Sequence, residues 1–357
     1  VVVEDEEGWP DERQRRGVGR PQVALRLVPE ARYAVGVHIG VGSVRVAVTD
    51  LLGRPWPVLS LDHPLEHPPE EVLTATARMV REALAQGGVE PTRVLGLGVG
   101  ASGLVDPATG VNVVAPNLGW REVPIRDWFS GQLGLPVRVD NNVRAMALGE
   151  ALFGLGQDVY SLAFVYARVG VGAGIVVDGQ LYHGGGAGAG EIGHMTILPD
   201  DGDICRCGNR GCLETLVSEP VITRLAEQIA RQETQGLLAA YLREAEGPIL
   251  ERVLAAARAG DAATRAMLEA RARYMGIALA NLIDILNPEL IVLGGIFSQG
   301  EDLLLPPLIA TIRQRAFANL GDKVRLQTSG FGQDAGVIGA AALALQAFFY
   351  QHPEGIV

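Results

Sequence analysis

All three cysteines of this 357-residue chain lie in one short segment, which constrains the local fold more than any other feature of the sequence. The segment extends from Gly190 to Glu214, and His194 precedes its first cysteine. The cysteines are Cys205, Cys207 and Cys212. Three thiolates and one imidazole complete the tetrahedral shell of a structural zinc ion and leave no position for water. The sequence therefore predicts a zinc-stabilised loop.

The alternative interpretation is that three ordinary buried cysteines cluster by accident, since free cysteine is often a core residue. The segment argues against it, because it is rich in glycine and polar residues and offers little apolar surface around a thiol. Its polar residues include Asp200, Asp201, Asp203, Arg206, Asn209 and Arg210. A metal-held loop can also fix polar side chains toward a ligand, here Glu191, His194 and Glu214.

The order of these residues, E-x-G-H followed by C-x-C-G-x-x-G-C-x-E, resembles the signature of the ROK family of sugar kinases and sugar-responsive repressors. The resemblance extends from about Gly19 to about Leu345. It implies an α/β fold of two lobes, the duplicated ribonuclease-H-like fold of actin and hexokinase. It also implies structural zinc on His194, Cys205, Cys207 and Cys212.

Strand patterns are consistent with such a duplication. Residues 33–50 alternate as two strand-like runs around a glycine turn, and a third run follows at 56–61. Helical spacing over 70–86 precedes another strand-like run at 94–99. Residues 161–177 repeat the glycine hairpin. A repeat of this kind places a ligand and a hinge between two lobes.

The resemblance also divides the chain. Residues 33–142 form the predicted N-terminal lobe, 143–335 the C-terminal lobe with the zinc loop at 194–212, and 336–357 a helix that packs back on the first lobe. Residues 1–32 resemble the wing and linker of a winged helix-turn-helix, because Gly19-Arg20-Pro21 leads into Leu25 and Leu27 as in ROK repressors. For residues 1–20, composition alone also allows a solvated, flexible arm. Since no methionine begins the chain, we expect a truncated or mis-started sequence whose recognition helix is missing.

Charge and composition exclude several functional classes. The net charge is −11, from 30 basic and 41 acidic residues, so DNA contact requires a local element. Lys323 is the only lysine, which excludes a G-K-[ST] phosphate loop. The chain has no signal-peptide pattern and no apolar run of about 18 residues. An odd, clustered cysteine count favours a reducing compartment, so we expect a cytoplasmic protein with no membrane partner.

Amide and hydroxyl groups collect at predicted strand ends, where they suit a polyol that needs hydrogen-bond partners in fixed places. They lie in residues 100–106, 115–120 and 139–144, which match the sugar-binding loops of ROK proteins. The resemblance implies that a sugar contacts Ser102, Gly103, Asn117, Asn141, Asn142, Glu191, His194 and Glu214. The Asp-Asn-Asn run at 140–142 could instead simply cap a helix.

The groups needed for phosphoryl transfer are altered. That reaction requires amides around the phosphates, a carboxylate for Mg²⁺ and a base near the attacking hydroxyl. Where ROK kinases have an aspartate and a threonine in the first hairpin, this chain has His38 and Gly42. Arg168-Val169 replaces the Gly-Thr of the second hairpin, and Asn142 replaces the catalytic aspartate. We therefore predict no catalytic residue, and the sequence does not favour ATP or Mg²⁺ as cofactors.

The resulting hypothesis is a sugar-sensing ROK regulator, a repressor whose effector is a monosaccharide or sugar derivative. It would bind operator DNA through the missing helix-turn-helix and act as a homodimer or homotetramer. One alternative is an ATP-dependent, glucokinase-like sugar kinase. A second is a non-catalytic ROK protein that binds neither DNA nor ATP and acts through protein contacts.

Overall fold

The computed structural model of the protein describes residues 1–4, 25–64 and 67–351. Residues 19–21, which carry the predicted repressor junction, lie outside the described residues. The strands are β1 Val2–Glu4, β2 Leu25–Leu27, β3 Tyr33–Ile39, β4 Ser43–Thr49, β5 Pro55–Asp62, β6 Val94–Ala101, β7 Leu104–Asp106, β8 Val111–Ala115, β9 Trp120–Val123, β10 Val137–Asn141, β11 Ser161–Ala167, β12 Val171–Val177, β13 Gln180–Leu181, β14 Leu290–Gly295 and β15 Arg325–Thr328. The α-helices are α1 Pro69–Gln86, α2 Ile125–Leu133, α3 Asn142–Phe153, α4 Glu214–Val217, α5 Glu219–Gln232, α6 Leu237–Glu244, α7 Ile249–Arg258, α8 Ala262–Leu286, α9 Ile296–Gln299, α10 Glu301–Arg315, α11 Leu320–Lys323 and α12 Ala335–Leu345.

Two five-stranded sheets repeat one topology. The first has the order β10-β6-β3-β4-β5 and the second β13-β12-β11-β14-β15. Each contains an antiparallel hairpin, a third antiparallel strand on one side of it and two parallel strands on the other. The predicted two-lobed, duplicated ribonuclease-H-like fold is therefore confirmed. Both hairpins turn at glycines. At Gly42 the backbone φ is +82°, a left-handed conformation that glycine adopts without steric cost.

Helices α3 and α12 lie between the two sheets. Helix α3 packs on β11 and β12, whereas α12 packs on β3 and β6. A Cβ on Gly98 of β6 would lie 1.7 Å from the Ala340 carbonyl oxygen of α12, so this helix rests directly on the sheet. The two helices meet at a pair of glycines, since a Cβ on Gly149 would lie 3.0 Å from the Cα atom of Gly339. Small residues thus allow the close packing that joins the lobes.

Apolar residues recur at helical spacing over residues 257–285, which predicts one long helix, but the structure is interrupted there. Helix α7 ends at Arg258, and α8 begins at Ala262. Asp261 caps α8 by accepting a hydrogen bond from the Thr264 amide at 2.8 Å. A new helix therefore begins here, although the apolar spacing continues through the break. Across the described ranges 1–4, 25–64 and 67–351, no helix is long and apolar enough to cross a membrane.

Candidate functional site

A cleft of about 760 Å³ opens between the two lobes. Its walls come from the ends of β6 and β10, the turn after β8, both glycine hairpins and the cysteine-rich loop. All eight residues predicted to contact a sugar line this one cleft: Ser102, Gly103, Asn117, Asn141, Asn142, Glu191, His194 and Glu214. The structure therefore brings together side chains that are far apart in sequence, while the sugar contact itself stays a prediction.

The cysteine-rich loop, residues 194–212, is hereafter called the metal loop. Its histidine and cysteines have the spacing that a metal site requires. The ligand atoms of His194, Cys205, Cys207 and Cys212 all lie within 4.8 Å of one another. Cys205 Sγ is 3.7 Å from His194 Nδ1, and Cys207 Sγ is 3.8 Å from Cys212 Sγ. Ligands about 2.3 Å from a tetrahedral centre lie about 3.8 Å apart, so the spacing matches the edges of one tetrahedron.

The environment of the thiols also fits a metal. Burial raises the pKa of Cys212 to about 12, so without a metal this thiol keeps its proton. A bound cation would offset the cost of the buried thiolate, because thiols bind metals in deprotonated form. His194 faces Cys205 through Nδ1, and a metal held by Nδ1 would leave the ring proton on Nε2 of this cleft-lining residue.

Asn141 has a structural role that the sequence left open. Its Oδ1 accepts hydrogen bonds from the amides of Val143 at 2.8 Å and Arg144 at 3.2 Å, so Asn141 is the N-cap of α3. Its Nδ2 donates to the Gly103 carbonyl at 2.9 Å. The capping interpretation is therefore correct for Asn141, and its amide is already bonded at both ends although it lines the cleft.

Asn142 lies one residue further along and faces a buried histidine. Its Nδ2 is 3.3 Å from Nε2 of His38, and each residue is only 8% exposed. An amide nitrogen only donates, so Nε2 accepts and the imidazole proton is on Nδ1. Burial, helped by the positive charges of Arg168 and Arg45, lowers the pKa of His38 to about 4. His38 is therefore neutral at physiological pH and a weak base.

Glu191 and Glu214 are the only carboxylate residues among the described residues that line the cleft, and both lie at its metal-loop end. Although Glu191 opens onto the cleft, partial desolvation raises the pKa of its carboxyl group. Glu214 accepts a hydrogen bond from the Val171 amide at 3.0 Å, which anchors it to the second hairpin. Two placed acceptors at this end suit the hydroxyl groups of a ligand.

Sequence reasoning missed a buried ionic network behind the cleft. Arg144 is 1% exposed, and its Nε donates to Asp140 at 2.6 Å. The same guanidinium donates to the carbonyls of Val105 and Ala187, and His183 Nε2 lies 2.7 Å from Asp140. Burial alone would raise the pKa of Asp140, but the bond to His183 and the charge of Arg144 lower it below its usual value. The network joins the start of α3 to the loop before Glu191. The sequence signal that could have revealed it is an arginine four residues after an aspartate.

The other end of the cleft is formed by the two hairpins. Arg168, half exposed, lies with its Nε 3.6 Å from a carboxylate oxygen of Glu219. Arg45 is paired with Asp334 at 2.6 Å, so neither arginine carries an uncompensated charge. Desolvation raises the pKa of Tyr166, whose ring lines this end of the cleft. Of these groups Tyr166 and Arg168 line the cleft, and Glu214 reaches the same hairpin through its hydrogen bond to the Val171 amide.

Comparison with known proteins places this geometry in a family. The model of the ROK family matches residues 34–347. A glucokinase from Halalkalibacterium halodurans is 33% identical over 88% of this chain and 96% of its own length. A xylose repressor from Caldicellulosiruptor bescii is 30% identical over 92% of this chain and 82% of its own length.

A solved structure is similar over a still larger part of the chain. It is a ROK family transcriptional regulator described as a homologue of the E. coli Mlc protein. It covers 97% of this chain and 85% of its own, with 29% identity and a TM-score of 0.81. Regulators and kinases thus share this two-lobed architecture, and the matched length, topology and cysteine-histidine cluster lead to one conclusion: the chain belongs to the ROK family.

Proposed function

We propose that this protein is a sugar-sensing transcriptional regulator, a repressor, and that its cleft binds a monosaccharide or a sugar derivative as effector. The metal-loop end supports sugar binding, because Glu191 and Glu214 offer acceptors and His194 offers a donor beside them. A polyol buried in such a site gains specificity from fixed donors and acceptors.

The observation that carries the choice of a sensor is the Asn142–His38 pair. A kinase needs a proton acceptor next to the attacking hydroxyl, and such a base contributes about 10²- to 10⁴-fold to the rate. The Asn142 amide accepts no proton, and the nitrogen of His38 that faces it has a pKa of about 4. The position is filled by a neutral hydrogen-bonded pair that suits binding rather than proton transfer.

ADP release tests this proposal. The purified protein is incubated with ATP, Mg²⁺ and a panel of hexoses, pentoses and amino sugars, beside an Asn142→Asp variant. We expect no sugar-dependent ADP release from the parent, together with a rise in melting temperature for the sugar that binds. Turnover by the parent at a rate typical of kinases would refute the sensor function.

A glucokinase-like activity is the second candidate, favoured by the 33% identity to a glucokinase over nearly the whole chain. Both candidates share the sugar-binding end of the cleft and differ only at the hairpin end. The same assay therefore separates them, and gain of activity in Asn142→Asp alone would show that the base was the missing group.

Zinc is the metal we propose for His194, Cys205, Cys207 and Cys212, because three thiolates and an imidazole in tetrahedral arrangement are its usual structural donor set. We expect one zinc ion per chain by elemental analysis of protein purified without added metal. Full stability and sugar binding of metal-free protein would contradict a structural role.

Regulation requires that the sugar prefer one of two lobe arrangements, since a ligand with equal affinity for both shifts neither. In this proposal lobe closure is coupled to an N-terminal helix-turn-helix that contacts operator DNA, within a homodimer or homotetramer. Sedimentation velocity measures the assembly. Retardation of promoter DNA by the full-length protein, with and without the sugar, measures the coupling.

A further inference from the structure

One hydrogen bond crosses the mouth of the cleft. Arg206 Nη1 donates to Asn117 Oδ1 at 2.7 Å, and the two residues are 89 positions apart. Arg206 belongs to the metal loop of the C-terminal lobe, whereas Asn117 lies on the turn after β8 of the N-terminal lobe. Because its partners are on different lobes, the bond exists only while the cleft is closed to this extent.

The backbone of Arg206 is restrained on both sides. Its neighbours Cys205 and Cys207 are two of the four members of the metal cluster. The Cys205 amide donates to the Asn209 carbonyl at 2.7 Å, and the Gly208 amide donates back to Cys205 at 2.9 Å. A metal bound to both thiols would therefore fix the direction in which the Arg206 side chain leaves the loop.

The Asn117 end is also well defined. The turn is closed by a hydrogen bond of 3.0 Å from the Leu118 amide to the Ala115 carbonyl, and Leu118 is 1% exposed. Asn117 Nδ2 lies near the second hairpin, since a Cβ on Gly170 would be 3.6 Å from it. Arginine has only donors, so its bond to Oδ1 sets the orientation of the Asn117 amide. The amide Nδ2 then faces the second hairpin.

We propose that Arg206 is a positioning residue that ties the metal loop to Asn117, so that the bound metal holds the lobes closed and the Asn117 amide oriented for its ligand. The inference rests on the proposed sugar-binding function for its effect on affinity, but the tie between the lobes does not. A site organised before binding loses less entropy on binding, so breaking the tie weakens the ligand.

Hydrogen exchange of the metal-loaded full chain tests the tie without any ligand. The variants are Arg206→Ala and the conservative Arg206→Lys. Arg224→Ala is the matched control, because Arg224 contacts Asp203 of the same loop at 2.9 Å but stays within one lobe. Arg206→Ala should speed exchange of the Leu118 amide on the opposite lobe at unchanged metal content, with Arg206→Lys intermediate and Arg224→Ala like the parent. Unchanged exchange at Leu118 in Arg206→Ala would overturn the proposal.

Calorimetric titration with D-xylose and D-glucose tests the effect on affinity. We expect binding to be about three- to tenfold weaker in Arg206→Ala, a modest loss because the arginine is exposed. Equal affinity in parent and variant would overturn the positioning role and leave the sugar-binding proposal intact. If neither sugar binds the parent, that proposal fails for these sugars, and the exchange experiment still decides whether the tie exists.

Metal removal tests whether the metal supports the hydrogen bond between Arg206 and Asn117. A chelator added to the parent should raise exchange at Leu118 to the level of Arg206→Ala, and it should add little there in the variant, because both treatments break the same tie. No change in the parent, or fully additive changes, would show that the metal and the cross-cleft bond are independent.

Discussion

The two ends of the cleft differ in what they can do chemically. At the metal-loop end, Glu191 and Glu214 present carboxylates beside a cluster that fits a metal ion. At the hairpin end, Asn142 and His38 bond to each other, and Arg168 lies in the turn of the second hairpin between β11 and β12. Under the proposed function, binding and phosphoryl transfer are separable, since one end of the cleft keeps its ligand contacts while the other lacks a base.

The largest effect is expected from a substitution in the metal cluster at the metal-loop end. In the proposed zinc site Cys212 is a fully buried ligand, so Cys212→Ser should cost the fold about 4 kcal/mol of its free energy of unfolding together with the metal. Urea unfolding and elemental analysis measure the two changes. Asn209→Ala is the control, because the Asn209 side chain donates to Cys212 Sγ and Thr196 but does not belong to the cluster. Equal stability of parent and Cys212→Ser would mean that no metal supports this end.

The next effect concerns pH at the hairpin end. His38 has a pKa of about 4 in the fold and about 6.5 when unfolded, so the unfolded chain binds the additional proton between these values. The free energy of unfolding should therefore fall as pH drops through this window and level off below it, by about 3 kcal/mol for the whole step. His38→Gln should remove this part of the pH dependence. Urea unfolding at several pH values measures it, and parallel curves for parent and variant would contradict it.

A smaller effect is expected when a single ligand contact is removed. Glu191→Gln keeps the size of the side chain and replaces the charged acceptor, so sugar affinity should fall about 30-fold, or about 2 kcal/mol. Isothermal titration with the sugar identified in the panel measures this. Wild-type affinity in Glu191→Gln would mean that the carboxylate does not contact the ligand, and that the site is assigned to the wrong residues.

The smallest effect should come from restoring the glycine of the second hairpin. Arg168 is half exposed and makes one loose ion pair with Glu219, and such pairs contribute about 0 to 1 kcal/mol. Arg168→Gly should therefore change sugar affinity by less than about threefold. A large loss of affinity would show that the hairpin end binds part of the ligand, and it would remove the distinction between the two ends.

Local patterns allowed much of the fold to be predicted. Alternating apolar residues around glycine turns identified both hairpins, because strand pairing over a short turn is encoded in adjacent residues. The metal cluster could also be predicted from the sequence, since Cys205, Cys207 and Cys212 lie in one loop and only His194 comes from outside the cysteine run. The break before α8 was not predicted, because a capping residue and an interior helix residue can share the same apolar period.

Within the site, contacts between distant residues could not be predicted. His38 is 104 positions from Asn142, and Arg206 is 89 from Asn117. The sequence showed adjacent amides at Asn141 and Asn142 in a run that could cap a helix, but not which of them caps α3 and which meets an imidazole. Which side chain faces which depends on how β3, β10 and the metal loop converge.

The sequence by itself predicted the duplicated fold, the four residues of the metal cluster and an amide at position 142, because each is a matter of residue identity or short-range periodicity. Only the tertiary structure decided that the eight candidate residues share one cleft, that His38 is held neutral by burial, and that Arg206 joins the two lobes. The physical reason is that desolvation and hydrogen bonding depend on distance in space, and the packing of α3 and α12 between the sheets sets those distances.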